Sequence, residues 1–172
     1  MSYKSKLHAV KAFVFDVDGV FTDGSVYLLP GGHMSRVMTV LDGYAVVKAI
    51  KLGYPIGVIT GGDDPMVRHR LEYLGITDYY PKSHDKMQDF HAFLSKHVLG
   101  PSDILTMGDD LPDYAMMRSS LLATCPSNAV PEIKSICQYV SPYGGGKGAV
   151  RDVIEQVLKV QGHWHLDNTQ SV

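Results

Sequence analysis

The sequence predicts an α/β fold, a Rossmann-like and mostly parallel sheet with helices on both faces. Three observations predict it. Short apolar runs alternate with helix-like stretches along the whole chain. Those runs are near-continuously apolar, as strands covered on both faces are. Three of them end in polar residues, and in an open α/β sheet ligands bind at the carboxyl ends of strands.

Taken in order, Ala12-Phe-Val-Phe15 is the first such run and ends at Asp16. Residues 20–41 then break the rhythm. Val26-Tyr-Leu-Leu29, Pro30-Gly-Gly32 and Arg36-Val-Met-Thr-Val40 predict two strands around a glycine turn, a β-hairpin projecting from the end of the first strand. A helix over 43–53 leads to the run Pro55–Ile59, which ends at Thr60. A helix over 64–75 follows, with Asp64 as N-cap, Pro65 in the first turn and Gly75 as its stop. Residues 85–98 predict a helix stopped near Gly100, and Ile104–Met107 a strand ending in Gly108-Asp109-Asp110. Beyond it come a helix over 112–119, the strand Leu121–Cys125, and helices over 129–136 and 147–161. The segment 162–172 lacks periodicity and reads as a tail on a single domain spanning 1–172.

Composition bounds the function. The chain has 172 residues, 45% hydrophobic and 20% charged, as soluble globular domains have. A formal net charge of -2 with scattered basic residues gives no electrostatic basis for binding nucleic acid or an anionic membrane. No stretch is apolar for long enough to span a bilayer or to serve as a signal peptide. Cys125 and Cys137 have no metal-ligand spacing and read as free thiols. A cytoplasmic enzyme or binding domain is the expectation.

The strand ends carry the chemistry. Asp16, Thr60 and Asp109 sit at one edge, with Asp18 two residues beyond the first and Lys86 entering a helix. Singly, each has a plainer reading: Asp18-Gly19 as a turn, Lys86 as a solvated helix residue, Asp110 and Asp113 as helix-start carboxylates. Jointly they suit phosphoryl transfer. A phosphate monoester repels an attacking carboxylate unless positive charge intervenes. Mg²⁺ takes oxygen ligands from one or two carboxylates, which Asp16 and Asp109 can supply, and Lys86 adds a second positive charge. A carboxylate nucleophile splits hydrolysis into two steps through an aspartyl-phosphate. Asp18 is placed to give the leaving group a proton and later take one from water.

In order, Asp16-Val-Asp18-Gly-Val20, Thr60-Gly61, Lys86 and Gly108-Asp-Asp-Leu-Pro-Asp113 resemble the four motifs of the haloacid dehalogenase superfamily. The resemblance implies a nucleophile at Asp16, acid/base work at Asp18 and phosphate contacts from Thr60, Gly61 and Lys86. It implies Mg²⁺ ligation by Asp16, Asp109 and the Asp18 carbonyl, with Asp110 and Asp113 supporting. Asp16-Val-Asp-Gly-Val-Phe-Thr-Asp-Gly24, Asp42-Gly-Tyr44, Gly145-Gly-Lys-Gly-Ala-Val-Arg151 and Gln170-Ser-Val172 resemble the capless 3-deoxy-D-manno-octulosonate 8-phosphate phosphatase family. That resemblance implies a sugar-acid phosphatase of lipopolysaccharide precursor synthesis. It also implies a homotetramer joined through the hairpins, in which a neighbour's loop and tail help close each site. Thr39, Asp42 and Gly43 would line the sugar pocket and Arg70 would approach the substrate carboxylate or hydroxyls.

Two departures stand out. Many members carry an arginine directly after Thr-Gly and another four residues after Asp-Gly, where this chain has Gly62 and Val47. Arg36, Arg68 or the tail must compensate. Phosphatases of nonulosonate (sialic-acid-type) 9-phosphates are the near alternative, although Gly62-Asp63-Asp64 lacks the acidic-then-basic pair expected there. A receiver-like signalling domain is the alternative from another class, but such domains place paired acids first and the phospho-acceptor later. His163-Trp-His165 is half a metal site at most and reads as a tail segment whose tryptophan packs on a partner subunit. His84 and His97 read as solvated helix residues.

Overall fold

The computed structural model describes residues 2–164. After a 3₁₀ turn at Tyr3–Ala9, the elements are β1 (Ala12–Phe15), β2 (Tyr27–Leu29), β3 (His33–Ser35), α1 (Val40–Lys51), β4 (Ile56–Ile59), α2 (Pro65–Tyr73) and β5 (Asp78–Tyr80). Then come α3 (Lys86–His97), β6 (Ile104–Met107), α4 (Tyr114–Ser119), β7 (Leu122–Cys125), α5 (Pro131–Ile136), β8 (Tyr139–Val140) and α6 (Ala149–Val160).

Six strands form one parallel sheet in the order β5-β4-β1-β6-β7-β8. From β1 the chain winds outward through β4 and β5, then crosses to the other side of β1 for β6, β7 and β8. The order therefore reverses beside β1, and the loops after β1, β4 and β6 border the crevice where open α/β sheets bind ligands. The four central strands are buried along their whole length. Side chains alternate between faces: Phe13 and Phe15 pack with residues of α1, α2 and α6, whereas Ala12 and Val14 pack with Phe90, Phe93 and Met116 of α3 and α4.

Local chemistry sets the helix ends. Asp64 caps α2 by accepting from the Met66 and Val67 amides, with Pro65 in the first turn as expected. Thr39 caps α1, which starts at Val40, three residues ahead of the expected 43. The stop of α3 is Val98, in the left-handed conformation at φ 55°, and not Gly100.

The hairpin forms, but its second strand is His33–Ser35, not the expected Arg36–Val40. All three β2 residues and most of β3 are exposed, so no buried face fixes the register from sequence. Two short edge strands, β5 and β8, lie outside the apolar runs that predicted the others. Trp164 packs edge-on against Tyr44 of its own chain at 5.8 Å, with Lys48 and Arg151 over its ring. Residues 165–172, which include His165 and the expected tail contacts at Gln170–Val172, lie outside the described residues.

Candidate active site

Asp16 follows the last residue of β1 and is buried, its N–H bound to the Met107 carbonyl of β6. Its Oδ1 accepts from the Val17 amide at 2.7 Å and from Lys86 Nζ at 3.0 Å. Lys86 is the first residue of α3, placed by the Asp85 cap, and is 7% exposed. It also donates to Asp113 Oδ1 at 2.7 Å. Asp113, fully buried, takes the Asp109 and Asp110 amides on its other oxygen at 3.1 and 3.4 Å. Asp113 is thus a positioning carboxylate, fixing both the lysine and the loop after β6. Asp110 caps that loop, with its Oδ1 on the Leu111 amide.

The electrostatics follow from the count of charges. Asp16, Asp109 and Asp113 offer oxygens within 4.8 Å of one another. Burial, then the Asp113 charge, push the Asp16 carboxyl up to about 7 against the pull of Lys86. Burial, then Asp113 and Asp110, push Asp109 up to about 6. For Lys86, burial works against the charge, but Asp16 and Asp113 overcome it and raise its pKa. Three carboxylates around one ammonium remain short of positive charge. Both oxygens of Asp113 are engaged, so Asp16 and Asp109 hold the capacity for ligands. An all-oxygen set of two carboxylates fits Mg²⁺.

The turn after Asp16 is built for close approach. Gly19 lies at φ 77°, and a Cβ there would overlap the Asp109 carboxylate. Asn128 clasps this turn from behind, donating to the Gly19 carbonyl at 3.1 Å and accepting from the Gly145 amide at 2.6 Å. The glycine run at 144–146 is therefore packed against the catalytic turn, and a Cβ on Gly145 would overlap the Gly19 carbonyl.

One cavity of about 610 Å³ gathers Asp16, Asp18, Thr60, Gly61, Lys86, Asp109, Asp110 and Asp113. Thr60 is buried at the end of β4, where its hydroxyl accepts from the Gly62 amide. Asp18 is half-exposed and held by Arg36, whose Nε and Nη2 fork onto its two oxygens. The expected sugar contacts are not brought here within one chain. Thr39 is the α1 cap, and Arg70 lines a separate cavity beside Arg36. Asp42 and Gly43 are buried; Asp42 Oδ1 accepts from the Arg151 amide at 2.8 Å and so caps α6 across the interhelix contact.

Sequence reasoning missed Ser83, His84 and Asn128. The first two line the cavity from the loop before α3, which backbone bonds tie to Thr60 and Gly62. Nothing in a lone sequence marks them. His97, expected to be solvated, instead contacts Asp78 Oδ2 at 3.0 Å.

A reversing parallel sheet with a carboxylate on its central strand and a lysine, threonine and paired acids around it defines a haloacid dehalogenase-like hydrolase. The profile of the haloacid dehalogenase-like hydrolases matches residues 65–154. The chain is 32% identical over 168 residues to 3-deoxy-D-manno-octulosonate 8-phosphate phosphatase of Escherichia coli K12, covering 98% of this chain and 89% of the relative. The enzyme of the same name from Salmonella typhi is 31% identical over the same coverage. Among solved structures, that phosphatase from Yersinia pestis superposes with a TM-score of 0.91 at 30% identity, covering 93% of this chain and 86% of that one. The Moraxella catarrhalis enzyme, solved with a magnesium ion, a phosphate ion and a KDO molecule, gives 0.89 at 30% identity, covering 92% and 91%. The chain belongs to the 3-deoxy-D-manno-octulosonate 8-phosphate phosphatase family, and it is a phosphoric monoester hydrolase.

Proposed function

We propose that the chain hydrolyses 3-deoxy-D-manno-octulosonate 8-phosphate to the free sugar acid and phosphate, with Mg²⁺ as cofactor. The observation that carries the reading is Asp16 on the central strand, paired with Lys86 and flanked by Asp18, Thr60 and Asp109 in one cavity. Asp16 attacks phosphorus through a carboxylate oxygen, and the bond from phosphorus to the sugar oxygen breaks. Asp18 protonates the departing alkoxide. Water then attacks the aspartyl-phosphate, Asp18 takes its proton, and Asp16 is released with inorganic phosphate. Lys86, Thr60 and the Gly61 amide hold the phosphate oxygens throughout. Mg²⁺, held by Asp16, Asp109 and the Asp18 carbonyl, supplies the positive charge that lets two anions meet.

A homotetramer joined through the hairpins is part of this reading. Tyr27, Leu28 and Met34 are 57%, 82% and 54% exposed on a two-stranded ribbon, an apolar surface in search of cover. Light scattering checks it, and a monomer would count against it. No helix among the described residues is long and apolar enough to cross a membrane.

The deciding experiment is phosphate release from octulosonate 8-phosphate and nonulosonate 9-phosphates side by side, with Mg²⁺ and with a chelator. The expected result is metal-dependent release with the octulosonate ester preferred. Preference for the nine-carbon esters would move the assignment to them. A long-lived phosphoprotein without steady release would overturn it.

A further inference from the structure

Besides its carboxyls, the Asp16 cavity is lined by four side chains with a hydrogen to donate: Thr60, Ser83, His84 and Lys86. Three are accounted for. Thr60 and Lys86 are buried at the floor, where Lys86 Nζ is bonded to Asp16 and Asp113. The Ser83 hydroxyl donates to Asp89 Oδ2, on α3 and away from the cavity lining. His84 is exposed, and its ring has no hydrogen bond, ion pair or ring contact among the described residues.

The loop that carries His84 is firmly set. Lys82 lies in the left-handed region at φ 53°, a conformation that costs a non-glycine residue and persists only where the surroundings impose it. Here they do. The Lys82 amide donates to the Gly62 carbonyl and the Ser83 amide to the Thr60 carbonyl, both at 3.0 Å. Lys82 Nζ also lies 2.9 Å from Asp63 Oδ2. On the other side Asp85 caps α3, accepting from the Met87 amide at 3.0 Å. His84 stands between these anchors, two residues before Lys86. Its backbone is placed at the cavity, and its ring has a donor with nothing on this chain to take it.

We infer that His84 donates a hydrogen bond to the leaving group of the ester, at the hydroxyl on the carbon next to the ester carbon. The inference rests on the phosphatase reading above and adds a residue that tells a polyol phosphate from a simpler one. In that reading Lys86, Thr60 and the Gly61 amide hold the phosphoryl oxygens from the floor. What faces an exposed donor in the same cavity is then the alcohol, and the part of it nearest the ester bond. An octulosonate phosphorylated at C8 carries a hydroxyl at C7, one carbon away. Imidazole keeps at least one N–H whether neutral or protonated, so the contact does not depend on a charged ring. A single neutral hydrogen bond of this kind is worth about tenfold in binding.

The test compares octulosonate 8-phosphate with its 7-deoxy analogue, which lacks that hydroxyl alone. The wild type prefers the parent ester. His84→Ala lowers kcat/KM for the parent by about tenfold, mostly through KM, and for the analogue by much less, so the preference collapses. His84→Phe keeps a ring without an N–H and loses the preference as well. Both variants melt with the wild type, because the ring they replace is exposed and without a partner. Equal losses on the two esters would overturn the inference and place His84 on the phosphoryl group instead. A wild type that treats the two esters alike, or a preference that survives in either variant, would overturn it outright. A wild type that releases phosphate from neither ester defeats the functional reading and this inference with it, whereas the variant results defeat only the role of His84.

Discussion

The floor of the site and its rim are built on opposite principles. In the floor, Lys86, Asp113 and Asp16 are buried and bonded to one another, and Asp113 also holds the loop after β6, so these groups are held in place before any substrate arrives. At the rim, from the hairpin to the start of α1, large apolar side chains are exposed, and the one strong constraint is Arg36 on Asp18 and Asp64. The difference teaches how a capless phosphatase divides its work. The buried carboxylates and lysine hold one another within one chain, while the hairpin segment above them stays thin and open.

The comparison breaks most sharply at Asp16. Replacing it with Asn removes the nucleophile while keeping its shape, and turnover falls by at least ~10⁴-fold. The melting temperature holds or rises, because the variant removes a charge that burial already disfavours. Phosphate release and thermal unfolding check both halves, and turnover retained by a homogeneous variant would exclude Asp16. Asp113→Ala attacks the same floor from beneath. Lys86 loses its shorter partner and two backbone amides lose their acceptor. The expected cost is about 3 kcal/mol in urea unfolding and ~10²-fold in kcat. A loss of activity without loss of stability would mean that Asp113 touches substrate or metal directly.

How much of this was legible depends on where burial writes itself into sequence. The strands β1, β4, β6 and β7 are covered on both faces, so their apolar runs announce them, and the polar residues that end those runs announce the floor. By contrast β5 and β8 are short edge strands of mixed character, and the exposed hairpin has no buried face to set its register. Arg36 and Asn128 were illegible as contacts for another reason. Each acts on residues far away in the chain, Asp18 and Asp64 for the first, Gly19 and Gly145 for the second, and only the fold brings them together.

Asp42 gives the mildest and most discriminating comparison, because it is a buried carboxylate at the rim end of α1 with no lysine to answer it. Its Oδ1 caps α6 through the Arg151 amide, but its Oδ2 has no hydrogen-bond partner among the described residues. Burial therefore dominates, and the carboxyl is pushed up from 3.8 to about 6, despite the amides and charge of the α6 start pulling the other way. Between those two values the folded chain holds a proton that the unfolded chain has lost, so stability falls as pH rises. The contribution is fully present below about 4 and gone above about 6. The displacement corresponds to at most about 3 kcal/mol, less whatever water penetration recovers. Urea unfolding from pH 4 to pH 7 reads it as a difference between wild type and Asp42→Asn, which keeps the capping oxygen and cannot ionise. The variant should gain on the wild type as pH rises across that window, with the gap levelling off above it. A constant gap would show that Asp42 stays charged in the folded chain, its free oxygen satisfied by water or by a neighbouring subunit, and the rim would then be as well ordered as the floor.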